Sequence, residues 1–499
     1  MKLPLFNFID GVNTNVSPFL VKPTELTVLN GANCSYKLGA LLKDTGYFRV
    51  STQIQANKSI TGLFNFIQDD ATQKMLATVD DSTSDDTQLF YKTEGGAWTE
   101  ITTAETAWAN FAGINVEMES FIGYCFFVGY GATDGFLPVL SLTGTTTSTS
   151  TNVTNMPKAK FIKRYRDRLY VLNCQISSTS YPYRTYYSSV PSAGAITWTQ
   201  ATDFFDIDFS DSITGAGVAF DRLVIFTKDK TYFYDQAQKK QVFEVGCSNH
   251  RTIQEHSSYL IWCSTDGVWM STSGQPQNVS GKIIDLIRGA NPLNFFSALV
   301  DEEYHLYLGD TSADGVSYTK VVATYNIPTN TWRWRELYST MTIFAEYSSV
   351  ATGQRRLYMG DSAGNVWDKS KYIDSTIYGA DEVIVGSSTG QEITSNVEFA
   401  PLVFDSWSTI KDLDNLVAYA NRAQGVHLKA RVLNRNSKAL TPYKPIGTLT
   451  GYINPFQIDV DKGEILQLAL SENSKNPYWS FYGVELSVEK DSDTFYKQK

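Results

Sequence analysis

The densest run of carboxylates is Asp203-Phe204-Phe205-Asp206-Ile207-Asp208-Phe209-Ser210-Asp211. Calcium loops set acidic residues at alternating positions around a glycine that makes the sharp turn. Here the intervening residues are bulky and apolar, with no glycine among them. The alternation therefore reads as a strand with an acidic face, and no metal site is expected. Glycoside cleavage needs two carboxylates facing one pocket; among 52 Asp and Glu, no pair is marked out. Ser264-Thr265-Asp266-Gly267-Val268-Trp269 and Asp361-Ser362-Ala363-Gly364-Asn365-Val366-Trp367 read as hairpin turns, where Asp-Gly and Gly-Asn supply the backbone freedom a tight reversal needs. Cys34, Cys125, Cys174, Cys247 and Cys263 are far apart and form no CxxC pair, so they read as small core residues. His250, His256, His305 and His427 are equally scattered. The chain carries no P-loop, nucleophile elbow or dinucleotide fingerprint. No catalytic residue, cofactor or metal is expected, and the chain does not read as an enzyme.

The elements that would carry these residues are strands. Tyr (29), Phe (28) and Trp (10) are abundant among 499 residues, and charged residues are only 19%. Aromatic side chains suit half-buried pleated surfaces. The net charge of -10 disfavours tight nucleic-acid binding, which draws on a basic surface. No apolar run reaches the roughly 20 residues that span a bilayer, and the first residues lack a secretory core. No membrane insertion is expected, and assembly in a cytoplasm is.

A unit recurs between residues 55 and 379: an alternating strand, a turn at Asp, Asn or Gly, a more hydrophobic strand, then one or two more. Its starts lie roughly 40–53 residues apart, the period of propeller blades. The second strands stand out as Met75-Leu76-Ala77-Thr78-Val79, Tyr124-Cys125-Phe126-Phe127-Val128, Leu169-Tyr170-Val171-Leu172, Leu223-Val224-Ile225-Phe226, Val268-Trp269-Met270, His305-Leu306-Tyr307-Leu308 and Leu357-Tyr358-Met359. The expected fold is all-β, a propeller of about seven blades, with six or eight as alternatives. Residues 143–151, rich in Thr and Ser, read as a solvated loop or a partner-contact loop, and 281–289 as one short helix. After residue 380 the strands lengthen and alternate, as in 392–399, 426–432, 465–470 and 483–489, which points to an antiparallel sandwich with one face buried. Residues 1–54 are expected to pack on this 380–499 domain.

The order of these parts resembles the tail nozzle or hub proteins of short-tailed bacteriophages and related tail tube adaptors. The opening Gly11-Val12-Asn13-Thr14-Asn15-Val16-Ser17-Pro18-Phe19, with Leu29-Asn30 and residues 39–47, is similar to that family's opening, although Asp44-Thr45 precedes Gly46 where the family carries an Arg. Residues 204–226 followed by Lys228-Asp229-Lys230-Thr231-Tyr232-Phe233-Tyr234 resemble its mid-propeller blade. The resemblance implies a virion protein that forms a homo-oligomeric ring, commonly a hexamer, against portal or adaptor proteins. DNA would pass through the lumen without specific binding, and the propellers would offer docking surfaces for tail fibres.

Two other readings compete. A carbohydrate-binding or glycan-cleaving propeller would line its channel with aromatics, for which Trp262, Trp269, Trp332 and Trp334 are candidates, although each reads first as a core residue. A cellular scaffold propeller would differ from the virion protein in its gene neighbours.

Overall fold

The computed structural model describes residues 46–81, 86–272, 274–313 and 315–369. Around these it describes 2–6, 10–15, 22, 25–27, 34–37, 40–44, 380–381, 391–392, 395–402, 411–421, 425–434, 439–458, 465–472 and 479–490. Within them the chain is all-β, built mostly of four-stranded antiparallel sheets.

Seven sheets begin with the strands Ser59–Ile67, Asn115–Phe121, Lys158–Tyr165, Gly215–Ala219, Gln254–His256, Phe296–Val300 and Met341–Ser348. Each of these strands packs against the next, and the last returns to the first. The sheets thus form a closed ring, a seven-bladed propeller, with these strands innermost. They are numbered here as blades 1 to 7.

The second strand of each blade explains the apolar runs in the sequence. It is covered by the neighbouring blade on either side, so both of its faces are buried. In Tyr259–Ser264 of blade 5 all six residues are buried, where a one-sided sheet would alternate. In blade 3 the two-residue turn at Arg166-Asp167 joins Tyr165 to its partner Arg168, with Arg166 at φ 51°.

Two segments differ from expectation and a third follows it. The acidic run is not one strand: Phe204–Asp206 is the outer strand of blade 3, after which the chain turns and the Asp211 amide donates to the Asp208 carbonyl at 3.0 Å. Residues 143–151 are not all loop, since Thr146–Ser148 is the outer strand of blade 2. Residues 281–289 do wind into a short 3-10 turn, Gly281–Ile283, and an α-helix, Ile284–Arg288.

The ring is closed by the far end of the chain. Blade 7 takes its outer strand from Phe48–Arg49, which pairs with Asp368 and Trp367. Residues 1–54 therefore divide: the last part belongs to the propeller, because a circular array needs a strand from outside the final repeat to tie its ends.

The rest of the N-terminal segment joins the C-terminal strands. One sheet runs Cys34–Lys37, Ala40–Lys43, Ser480–Lys490, Lys411–Asn421, Ile453–Gln457, with Lys2–Phe6 also on Ser480–Lys490. The other runs Leu26–Thr27, Ser395–Phe399, Leu466–Glu472, His427–Asn434, with Ala439–Leu440 and Lys444–Thr448 on the last. Their inner faces share one core, in which the Phe399 and Phe481 rings lie 5.6 Å apart. That core is continuous with blades 5 and 6 through Ile261, Trp332 and Trp334.

Candidate functional site: the propeller hub and the buried junction

Blade 4 offers only small residues to the hub. Its inner strand is Gly-Ala-Gly-Val-Ala, and a Cβ on Gly215 would stand 2.6 Å from Ile253 Cδ1. The space admits the 3-10 turn His250–Thr252, capped by the Asn249 side chain, directly against the axis. From this turn Arg251 reaches across the ring. Its Nη1 donates to Asn115 Oδ1 of blade 2 at 3.2 Å, its Nη2 donates to the Thr342 carbonyl of blade 7, and the guanidinium lies 5.0 Å from the Phe296 ring of blade 6. The hub is thus bridged by a side chain.

Beside this bridge is a cavity of about 340 Å³ lined by charged residues from several blades. Glu117 and Glu119 occupy alternate positions on the inner strand of blade 2 and so face the axis together. Glu117 Oε2 is 3.2 Å from His250 Nε2, and Lys163 Nζ of blade 3 is 2.7 Å from Glu255 Oε1 of blade 5. Burial pushes Glu119 up to about 7; the positive charge of Lys163 opposes this and Glu255 adds to it. Burial also acts on Glu117, but His250, with help from Lys163 and Arg251, holds its carboxyl below the usual range. Burial would lower Lys163, yet Glu255 and Glu119 reverse that and keep it firmly charged. Arg251 is brought down to about 10 by burial, against the attraction of Glu117.

A second charged cluster lies where propeller meets sandwich. Asp44, which follows the strand Ala40–Lys43, is 3.3 Å from Arg335 of blade 6 and 3.4 Å from Lys369 at the end of blade 7. Nearby, Glu303 takes two parallel bonds from Arg333, at 2.5 Å each. Burial would raise Glu303, but Arg333 and His305 bring it down to about 2. Burial and the charge of Lys369 lower His305 to about 3, so it is neutral at pH 7. Next to this junction, Lys282 donates to the Asp10 carbonyl at 2.6 Å and pairs with Glu25 at 3.1 Å. Gly11 has φ +71° and lies so close to blade 6 that a Cβ would be 2.7 Å from the Trp332 carbonyl; the Val12 amide then donates to that carbonyl at 3.0 Å.

The residues singled out from sequence have structural surroundings. Asp361 Oδ1 accepts from the amides of Ala363 and Asn365 at 2.9 and 2.8 Å, and its Oδ2 accepts from Trp367 Nε1 at 2.8 Å. Asp266 Oδ1 accepts from Trp269 Nε1 at 3.0 Å. Asp208 and Asp211 both accept from the Tyr232 hydroxyl, at 3.2 and 2.8 Å. All five cysteines are buried and free. Trp262, Trp332 and Trp334 are buried in the core and not turned to the channel; Trp269 is half-buried against the core between blades 4 and 5. The channel's aromatic wall is instead Phe64, Phe296 and Phe344. Among the described residues no group of three or more His, Cys, Asp and Glu is gathered as for a metal ion, and no helix is long and apolar enough to cross a membrane.

The hub was not marked in the sequence. The alternation of Glu117 and Glu119 was readable, but Arg251 meets Asn115 from 136 positions away.

No family model matches the chain, and no curated protein matches it significantly. Among solved structures it is similar to BBS1N in its complex with ARL6DN, at 14% identity and a TM-score of 0.34, over 50% of this chain and 75% of that one. It is also similar to the extracellular domain of BT4673 from B. thetaiotaomicron, at 10% identity and a TM-score of 0.41, over 70% of this chain and 42% of that one.

Proposed function

We propose that the protein is a structural component of a bacteriophage tail, of the nozzle/hub or tail tube adaptor kind. The reading is carried by one observation: both ends of the chain enter a single two-sheet sandwich, which is locked to the propeller by a shared core and the buried Asp44–Arg335–Lys369 cluster. Such a body transmits load from platform to propeller without a hinge, as a wall subunit must.

In this reading several copies, six by the family resemblance, stand in a ring with the sandwiches forming the wall. DNA passes through the lumen between copies. It does not pass through the propeller, whose hub is crossed by Arg251. The net charge of -10 suits a bore along which a polyanion slides without sticking. Portal or adaptor proteins would meet the platform, and fibres would dock on the outward propellers. The virion is the expected location, after assembly in the host cytoplasm.

Electron microscopy of the purified protein and of phage particles tests this. Closed rings, and density for the chain at the tail, support the reading. A chain absent from particles that still assemble would sink it.

A further inference from the structure

A second cavity, of about 310 Å³, lies beside the hub. Its walls come from where innermost strands begin and second strands end: Asn115 and Tyr130 of blade 2, Lys160 and Asn173 of blade 3, Thr214 ahead of blade 4 and Ser248 ahead of blade 5. These positions share one face of the ring. Lys160 carries a charge that the protein leaves unanswered. Among the described residues its amino group makes no hydrogen bond or ion pair. It lies 3.7 Å from the centre of the Tyr130 ring and 5.9 Å from that of Phe136. Burial lowers its pKa, and no carboxylate among the described residues offsets the fall.

The other charges on the wall are balanced. Glu117 faces His250 at 3.2 Å, and Lys163 and Arg251 add to the attraction. Arg251 donates to Asn115 and the Thr342 carbonyl and is drawn by Glu117. Lys160 is thus one positive charge without a counterion. Ser248 adds a buried hydroxyl that has no hydrogen-bond partner. An ammonium and a hydroxyl are both donors, so together they call for a negatively charged acceptor. A cation would meet Lys160 and Arg251. A phosphate monoester brings roughly two negative charges, more than one ammonium neutralises. A carboxylate brings one and accepts from both donors. The Phe161 ring and Leu293, which is 71% exposed, offer apolar surface beside them. The volume lies within the range of small-molecule sites.

We propose that this cavity binds a small organic monocarboxylate with an apolar body, its carboxylate accepting from Lys160 Nζ and the Ser248 hydroxyl and its body lying against Phe161 and Leu293. This is independent of the virion reading, since a wall subunit and a cellular propeller could equally carry the site.

The test uses the full chain and a panel of butyrate, isovalerate, benzoate and phenylacetate, followed by saturation-transfer NMR and calorimetry. Benzyl alcohol, inorganic phosphate, sulfate and putrescine serve as comparators. At least one carboxylate is expected to bind at millimolar concentration or below. Lys160→Met should weaken it about tenfold or more, the effect of one hydrogen bond to a charged group, and Lys160→Arg should retain most of the binding. Lys240→Ala, on the exposed outer strand of blade 4, should leave it unchanged. Should Lys160→Met unfold, a crystal of the wild type soaked with the strongest binder decides: density against Lys160 supports the site, and density elsewhere overturns it. Binding of none of the carboxylates, equal binding of benzyl alcohol, or preference for phosphate, sulfate or putrescine also overturns it.

Discussion

Replacing Asp44 by Asn should cost this protein about 3 kcal/mol, the lower end of what breaking a buried ion pair costs. The side chain keeps its size and loses only its charge. That charge lies 3.3 Å from Arg335 and 3.4 Å from Lys369, and the Arg335 side chain is only 3% exposed. Two cations then remain in a low-dielectric junction beside Arg333, and the Arg333-bound Glu303 is too committed to compensate fully. The figure sits at the low end because Glu303 still attracts Lys369. In a folded unit of this size the loss corresponds to a drop in melting temperature of about 3 °C. Circular dichroism melts of wild type and Asp44→Asn at pH 7 measure it. The double variant Asp44→Asn/Lys369→Met should recover part of the loss, because removing both partners is less costly than stranding one. A loss below about 1 kcal/mol, too small for a buried pair, would refute the reasoning. So would a double variant no more stable than the single one.

Other outcomes follow from the same structure. His305 is depressed in the folded state to about 3 from 6.5, so its contribution is complete above pH 6.5 and is lost as pH falls toward 3; by pH 5 the loss is about 2 kcal/mol, and His305→Gln should flatten urea midpoints between pH 6.5 and 5. Glu303, lowered from 4.5 to about 2, adds a second loss that begins only below pH 4.5, visible as a further fall in the same titration. Asp361→Ala leaves the Ala363 and Asn365 amides and the Trp367 indole without their acceptor and should destabilise by roughly 2–3 kcal/mol, with limited proteolysis near blade 7 rising in step. Deleting residues 1–50 removes the closing strand Phe48–Arg49 and four strands of the sandwich, Lys2–Phe6, Leu26–Thr27, Cys34–Lys37 and Ala40–Lys43, so the truncated chain should be recovered insoluble, where a soluble, sharply melting product would contradict the closure described here.

The legible part of the fold was the part with a period. Second strands such as Tyr124–Gly131 and Arg222–Phe226 announce themselves because burial on both faces leaves few polar positions. Outer strands do not. Gln238–Phe243 is almost wholly exposed and reads as polar coil, yet it completes blade 4 by pairing with Thr231–Asp235. Phe48–Arg49 is two residues long and lies in sequence before the first blade, so no repeat could find it. The charged clusters were hidden for a related reason. Asp44, Glu303, Arg335 and Lys369 belong to four separate strands or strand ends, and only the closed ring brings them together. The tryptophans, candidates for a channel lining but read first as core, are core: large rings fill the wedges between blades.

The virion reading stands or falls on assembly. Mass photometry of the purified full-length protein across a wide concentration range, combined with class averages from electron microscopy, tests it most directly. A closed ring of copies is expected, six by the resemblance, with sandwiches inward and propellers outward. A species that stays monomeric at every concentration, alone and with tail components present, would contradict it.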